Sequence, residues 1–476
     1  MALEVSNLVR RCLSFYRREP KERNEKNESD YYWGSHAGIA CARRAKEEFP
    51  DAQITIYEKQ KEISFISQSI PLYLMGHNDI LKNGGYTTIK ELEAQGIQVK
   101  AQSVVRNIDT LTKQIFFTQE ESNNVETATY DKLVLATGSY PLLPMFSGEF
   151  KERLIVVKNI EDAKRIRYLF ETAKRIIVVG GGFIGVELSR ILASHGIKIT
   201  LIQAHSYLLD KYLDEPAARN IEALMQSEGI DIQLSTFPVD IREEENKETG
   251  TALNLYTDHY EKFEADAIIY SVGFRPNSFL LANQVELGDM GAIEVDDYMQ
   301  TSHQDVFAVG DCATSKVNRV KGRRYLPHAS EAIRQGGIAA INLAGPKQKI
   351  IPSEGTYSMN LDGRTLCATG LNKKNAEAEG FECGMVHYRN DFLNSDEYTN
   401  IWLVYERKTH KILGVQVEGT AEGIAIYADL ISLAIQQNLA IEDVEFSDFY
   451  FKHGYKNPNG MIKTLAQLIR QEDPKS

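Results

Sequence analysis

Paired cysteines are missing from this sequence. The five it has, Cys12, Cys41, Cys312, Cys367 and Cys383, are scattered with no C-x-x-C, which fits neither a zinc site nor a paired redox dithiol. Most are read as buried small hydrophobes, although Cys41 and Cys312 each follow a glycine-containing motif and so stand where a catalytic thiol is easily imagined. A basic surplus is also absent: 54 Lys and Arg face 66 Asp and Glu, a net charge of −12, which argues against nucleic acid as a partner. No apolar run approaches the ~20 residues of a membrane span, and no apolar signal core is seen, so a cytoplasmic protein with no membrane partner is expected. The 476 residues, 43% of them apolar, exceed one ordinary core and suggest two to four domains.

What the chain does have is one pattern used repeatedly: strand, glycine turn, helix. "RIIVVGGGFIGVELSRILASHG" holds an apolar strand Ile176 to Val179, then Gly180, Gly182 and Gly185, then a helix, with "IKITLIQ" as the next strand. This order makes G-x-G-x-x-G a dinucleotide signature, because the glycines permit a tight turn and bring a pyrophosphate to backbone N–H groups at a helix start. Gln203 ends the second strand, where an acid would bind a ribose hydroxyl and repel a 2′-phosphate.

An earlier copy is damaged. "WGSHAGIACARRAKEEFPDAQITIYE" has Gly34, Ser35, His36, Ala37 and Gly38, a helix, and a strand Ile54 to Tyr57 ending in Glu58 and followed by Lys59. Trp33 stands at the first glycine position, and the preceding "NEKNESDYY" is too polar for a buried parallel strand. Codons AAT GAA AGT GAT TAT TAT TGG for Asn27 to Trp33, read one base later, encode Met-Lys-Val-Ile-Ile-Ile-Gly, which is the absent strand and glycine. Residues 1–33 are therefore expected to be an out-of-frame or atypical N-terminal segment, the alternative being a genuine basic extension.

Downstream, "YDKLVLATGSYPLLP" runs a strand into Thr137, Gly138 and Ser139; "ADAIIYSVGFRPNS" repeats the form with Gly273; and "VFAVGDCA" puts Asp311 after a short strand. A helix starting near Ala329 follows, and beyond about residue 350 the pattern turns strand-rich, with a hairpin in "IWLVYERKTHKILGVQVEG".

As a set, "GSHAG", "ITIYEK", "ISFISQSIPLYL", "ATGSYP", "VVGGGFIGVE", "SVGFRPN" and "VFAVGDCA" resemble the FAD-dependent pyridine nucleotide-disulfide oxidoreductases, in the branch of NADH oxidase, NADH peroxidase and coenzyme A-disulfide reductase. The resemblance implies an α/β fold with two Rossmann-like domains, for FAD and NAD, and a C-terminal α+β dimerisation domain. The expected divisions are FAD-binding 34–150, NAD(P)-binding 151–270, FAD-binding 271–348 and dimerisation 349–476, in a homodimer. FAD would meet Gly34, Ser35, His36, Ala37, Gly38, Glu58, Lys59, Val105, Thr137, Gly138, Ser139, Gly273, Asp311 and the helix from Ala329. NADH, with NADPH also compatible because His205 and Lys211 follow the neutral Gln203, would meet Gly180, Gly182, Phe183, Ile184 and Gly185. Phe183 would cover the flavin, and Glu187 is open between a place near the nicotinamide and an ordinary helix carboxylate. The pattern's aromatic and proline-rich C-terminal end is altered at Asn459, and His453 reads as a partner-site or interface histidine.

The resemblance also carries "S-F-x-S-C-G", whose cysteine cycles through a sulfenic acid or mixed disulfide. Here Gln68 and Ser69 occupy the C-G positions. An amide has no thiolate state. His36, a proton donor or thiolate partner in that scheme, is open between that role and a structural one. The expected activity is hydride transfer from NADH to FAD and then to oxygen, giving hydrogen peroxide, or to another acceptor such as a quinone. The alternatives are a peroxidase or disulfide reductase with altered chemistry, acting on peroxide or a disulfide, and an inactive or flavin-sensing interaction protein.

Overall fold

A computed structural model describes residues 36–77, 85–119, 122–142, 153–246, 250–361, 363–449, 454–457 and 460–474. The N-terminal segment with Trp33, Gly34 and Ser35 lies outside the described residues, as do Cys12, His453 and Asn459.

Helix α1 (His36–Glu48) buries Ala37, Ile39, Cys41, Ala42 and Ala45, small residues that let other backbones approach. The chain continues through β1 (Ile54–Tyr57), α2 (Ile70–Leu74) and β2 (Ile97–Lys100); β1 and β2 pair in parallel with Ile54 opposite Ile97. A three-stranded antiparallel sheet over Ser103–Asp109, Gln114–Gln119 and Ser122–Thr129 follows, then β3 (Leu133–Leu135).

The next unit opens with α3 (Ile160–Thr172). Its start is set by a reciprocal cap, in which Asn159 Oδ1 accepts from the N–H groups of Glu161 and Asp162 while Asp162 accepts from Asn159 N–H. Strand β4 (Arg175–Val179), helix α4 (Phe183–Ser194), strand β5 (Lys198–Ile202) and helix α5 (Glu215–Ser227) come in order. The two strands belong to a five-stranded parallel sheet ordered Asp231–Gln233, β5, β4, Ala267–Tyr270, Leu154–Val156. Ile176 and Val178 of β4 enter one buried cluster and Ile177 and Val179 another. The strand reads as an unbroken apolar run because both of its faces are covered.

Strand β6 (Val306–Ala308) lies parallel to β3, Val306 opposite Leu133. Helix α6 (Ala329–Asn342) crosses α1 so closely that a Cβ on Gly336 would stand 2.3 Å from the Ala37 carbonyl oxygen. Ala37, Cys41 and Ala45 pack in one cluster with Leu135 and Val309, and Ile54 and Tyr57 pack against it, so α1 spans both strand pairs. Among the described residues, no strand pairs with the second edge of β1 or of β3.

From β7 (Tyr357–Asn360) onward the chain builds an antiparallel five-stranded sheet, ordered β7, Thr365–Gly370, Ile412–Gly419, Tyr398–Glu406, Cys383–Asp391. The expected hairpin is its two central strands. Buried polar groups join it to the parallel-sheet unit: Asp214 accepts from Gln416 Nε2 at 2.7 Å, and Glu418 from Asn220 Nδ2 at 3.1 Å. No described helix is long and apolar enough to cross a membrane.

Candidate active site

The loop between β4 and α4 shows why three glycines stand where they do. Gly180 has φ +105°, and a Cβ there would lie 2.5 Å from the Ser271 carbonyl oxygen. At Gly185 a Cβ would fall 1.8 Å from the Gly180 oxygen, so only glycine lets α4 pack on the strand end. Gly182 has nothing within 4 Å of such an atom: it caps α4 and faces open space, as a backbone that receives a pyrophosphate must. Gln203 is buried, its Oε1 accepting the Gly181 N–H at 3.1 Å and its Nε2 donating to Asp210 Oδ1 at 3.1 Å.

Phe183, the first residue of α4, lies 4.1 Å from the Tyr212 ring and 4.3 Å from that of Tyr357, a residue of β7. Tyr357 is half-buried, and its hydroxyl is buried with no hydrogen-bond partner among the described residues, which raises it well above the usual tyrosine range. Ile184 is half-buried beside the main apolar cluster. Glu187 is half-buried one turn on, and burial alone pushes its carboxyl up to about 7.

A second group of polar residues gathers where β3, β6, α1 and α6 meet. Asp311 sits in the turn after β6; its Oδ2 accepts from Ser139 Oγ at 2.8 Å, and Ser139 accepts from Lys158 Nζ at 2.9 Å. The Lys158 ammonium lies 4.6 Å from the Phe274 ring centre, and burial lowers its pKa while Asp311 works the other way. His36 begins α1, stacks on Tyr86 at 5.5 Å and leaves Nδ1 without a partner among the described residues. Burial holds its imidazole below the ordinary value; Asp311 opposes this and Lys158 adds to it. His328 caps α6 just before Ala329 and is lowered by burial in the same way. Thr137 Oγ1 donates to the Asn277 carbonyl oxygen, while Gly138 and Gly273 take φ +66° and +116° with open space where a Cβ would point.

Glu58 follows β1 and is buried; its Oε1 accepts the Gln60 N–H at 2.7 Å, and burial pushes its carboxyl up to about 8, with Gln60 and Lys59 opposing. Val105 turns its side chain into the cluster shared with Ala37 and Leu135. An uncommitted imidazole nitrogen, open glycines at Gly138 and Gly273 and a carboxylate bound to hydroxyl and ammonium groups are what the ribityl and phosphate portions of a flavin dinucleotide would use, so the residues present fit that group.

Gln68 is the middle residue of a single turn, Ser67–Ser69, leading into α2. The turn is tethered on both sides: Ser69 Oγ donates to the Ile66 oxygen at 2.6 Å, and Arg167 Nη1 of α3 to the Tyr73 oxygen at 2.9 Å. Ser64, at φ +62°, donates through Oγ to the Thr87 oxygen, next to the Tyr86 that stacks on His36. The four described cysteines are buried and free; burial pushes Cys41 and Cys367 up to about 12, and Cys312 donates its S–H to the Leu135 and Val309 oxygens. No group among the described residues could hold a metal ion. Lys158, Tyr357, Tyr212 and Asp210 were not anticipated from the sequence; a lone lysine in "VVKNIEDAK" carries no motif that singles it out.

With this geometry the comparisons with known proteins agree. The family model for pyridine nucleotide-disulphide oxidoreductases matches residues 34–336. An NADH oxidase of Enterococcus faecalis is 34% identical over 440 residues, covering 91% of this chain and 97% of that protein. A solved water-forming NADH oxidase from Lactobacillus brevis, bound to NADH, superposes with a TM-score of 0.86 at 31% identity, over 92% of this chain and 97% of the other. An engineered water-forming NADPH oxidase derived from it, bound to NADPH, matches with the same TM-score, identity and coverage. The chain is an oxidoreductase and belongs to the FAD-dependent pyridine nucleotide-disulphide oxidoreductase family.

Proposed function

We infer that this flavoenzyme oxidises NADH with molecular oxygen and releases hydrogen peroxide, NADH + H⁺ + O₂ giving NAD⁺ + H₂O₂. The observation that carries the reading is the lack of an accessible thiol: every described cysteine is buried, and Gln68 stands where the resemblance sets the redox cysteine. The Lactobacillus enzyme is water-forming. Among the described residues of this chain, the second, peroxide-reducing half of such a reaction has no accessible sulfur to run on.

When bound, FAD supplies the two-electron carrier, taking hydride from the nicotinamide and passing electrons to oxygen. The chain's own residues do the rest. Gly180, Gly182 and Gly185 bind the pyrophosphate of the nicotinamide nucleotide, and Phe183 yields its place to the nicotinamide. Glu187, held near neutrality in its titration by burial, lies one turn along the same helix. Glu58 and Lys59 hold the adenosine end of the flavin nucleotide, with Ala37, Gly38, Thr137, Gly138, Ser139, Gly273 and Asp311 along its length. The N-terminal end of α6, at Ala329, offers its positive dipole end to negative charge. His36 Nδ1 has no hydrogen-bond partner among the described residues and is the atom suited to relay the proton that oxygen reduction consumes.

Exposed Ile426 and Leu433 on one helix, with exposed Phe446 beyond it, support a homodimer through residues 349–476. The activity is tested in an oxygen electrode with flavin-loaded protein. One NADH should be used per oxygen, and catalase should return half of the oxygen. Two NADH per oxygen without peroxide would refute it.

A further inference from the structure

We propose that Asp210, not the residue at the end of β5, makes the nucleotide cleft select NADH over NADPH. The proposal rests on the dinucleotide reading of the β4–α4 loop. In such a unit the adenosine ribose lies against the end of the second strand, and here that end is the neutral Gln203. Both ends of its amide are committed, Oε1 to the Gly181 N–H and Nε2 to Asp210 Oδ1 and, at 3.4 Å, to the Tyr207 oxygen. Gln203 therefore brings no charge to a ribose, and its amide is already engaged at both ends. It is a bracket between the glycine loop and Asp210.

The segment after Gln203 folds back over the glycine loop. Leu209 N–H donates to the Gly181 oxygen at 2.8 Å, and a Cβ on Gly181 would lie 2.5 Å from Leu208 Cδ2. This return places a carboxylate one hydrogen bond from the strand end, on a residue only 9% exposed. Its Oδ2 lies 3.9 Å from His205 Nε2, beyond hydrogen-bond reach. Nearby cations are spent elsewhere or stand in solvent. Arg219 reaches the loop through the Ser206 oxygen at 3.1 Å but is paired with Glu215 at 2.7 Å and with Glu222 at 2.6 Å, and Glu222 takes the Leu208 N–H at 2.8 Å. Lys211 is exposed. A 2′-hydroxyl can donate to the Asp210 carboxylate, whereas a 2′-phosphate meets a like charge on a buried residue, with Lys211 and His205 exposed to solvent.

The test uses flavin-loaded protein and titrates NADH and NADPH by fluorescence, with 5′-AMP and 2′,5′-ADP as competitors that read the adenosine end alone. The wild type should bind NADH at least ~10-fold more tightly than NADPH, an advantage that shrinks as salt rises. Asp210→Asn keeps the acceptor for Gln203 Nε2 and removes the charge, and should narrow the ratio by about tenfold, mostly by tightening NADPH and 2′,5′-ADP. An unchanged ratio in Asp210→Asn would overturn the assignment. Asp210→Ser, which also removes the charge, should narrow the ratio likewise, and an unchanged ratio there overturns the assignment even if Asp210→Asn does not accumulate. Binding of neither nucleotide would instead overturn the dinucleotide reading, and this assignment with it.

Discussion

Glu58→Gln should act with opposite signs on the flavin-free fold and on flavin binding. The carboxyl is buried, and its pKa stands at about 8 against an ordinary 4.5. A raised folded-state pKa means the folded chain holds the proton more tightly than the unfolded chain. Stability from this group is thus intact below the unfolded value and is lost as pH rises from about 4.5 through about 8. Integrating that difference gives a loss of roughly 2 kcal/mol between pH 6 and pH 8 in the flavin-free wild type. Glutamine can still accept the Gln60 N–H, so Glu58→Gln should flatten this slope and leave the variant the more stable at pH 8. A ribose hydroxyl donates best to the ionised carboxylate. Wild-type FAD affinity should therefore rise with pH up to about 8, and the variant should bind FAD more weakly, by about 1.5–3 kcal/mol for a lost charge-assisted hydrogen bond, with no such rise. Urea unfolding of flavin-free protein at pH 6 and 8, beside FAD fluorescence titrations at both, measures all four quantities. A variant that keeps the wild-type pH slope in both assays would show that Glu58 neither titrates in this range nor meets the ribose.

Other expectations follow from single contacts. Gln68→Cys should move the product from peroxide towards water, read as a NADH-to-oxygen ratio climbing from one towards two; a flavin-loaded variant still releasing one peroxide per NADH would show that the missing sulfur is not the only block. Gly185→Ala must push a methyl to within 1.8 Å of the Gly180 oxygen and should cost ~3 kcal/mol or more in unfolding, along with NADH binding. Lys158→Met removes a cation that holds His36 down, so the His36 imidazole should titrate at higher pH by NMR; an unmoved titration would mean that solvent screens the pair.

Much of the site was legible because glycine leaves a mark where a side chain has no room. Gly180 and Gly185 are required by contacts within one β-α turn, and contacts that local repeat with the motif. Strand β4 was legible for a similar reason, as both its faces are buried and its apolar run is unbroken. The antiparallel insertions Ser103–Thr129 and Pro238–Ala265 were not, since their strands carry polar faces and no glycine turn announces them. Lys158 reaches Ser139 across 19 residues and Tyr357 reaches Phe183 across the whole FAD-binding second segment, so neither pairing leaves a local pattern. Asp210 is the subtlest case. Sequence reasoning looked for an acid at the strand end and found an amide, while the carboxylate comes seven residues later by a fold-back that only the Gly181 contacts reveal.

A thiol cycle asks for a nucleophilic sulfur, a setting that lowers its pKa and a proton donor close by. Among the described residues the first is missing: Cys41, Cys312, Cys367 and Cys383 are buried and raised rather than lowered, Cys41 to about 12 although it lies on the same helix as His36. The donor is retained. His36 leaves Nδ1 uncommitted in a buried place, where an unsatisfied polar atom costs about 1–3 kcal/mol unless something else meets it. A vestige of thiol chemistry has no reason to keep that cost, whereas direct reduction of oxygen still needs a proton delivered inside a water-poor cleft. Burial favours the neutral imidazole of His36, with Asp311 opposing, so on the proposed reading it would pass a proton on rather than hold one. On the proposed reading the same residue would serve an oxidase that stops at peroxide, and the amide at Gln68 would shorten the reaction without disabling its reductive half.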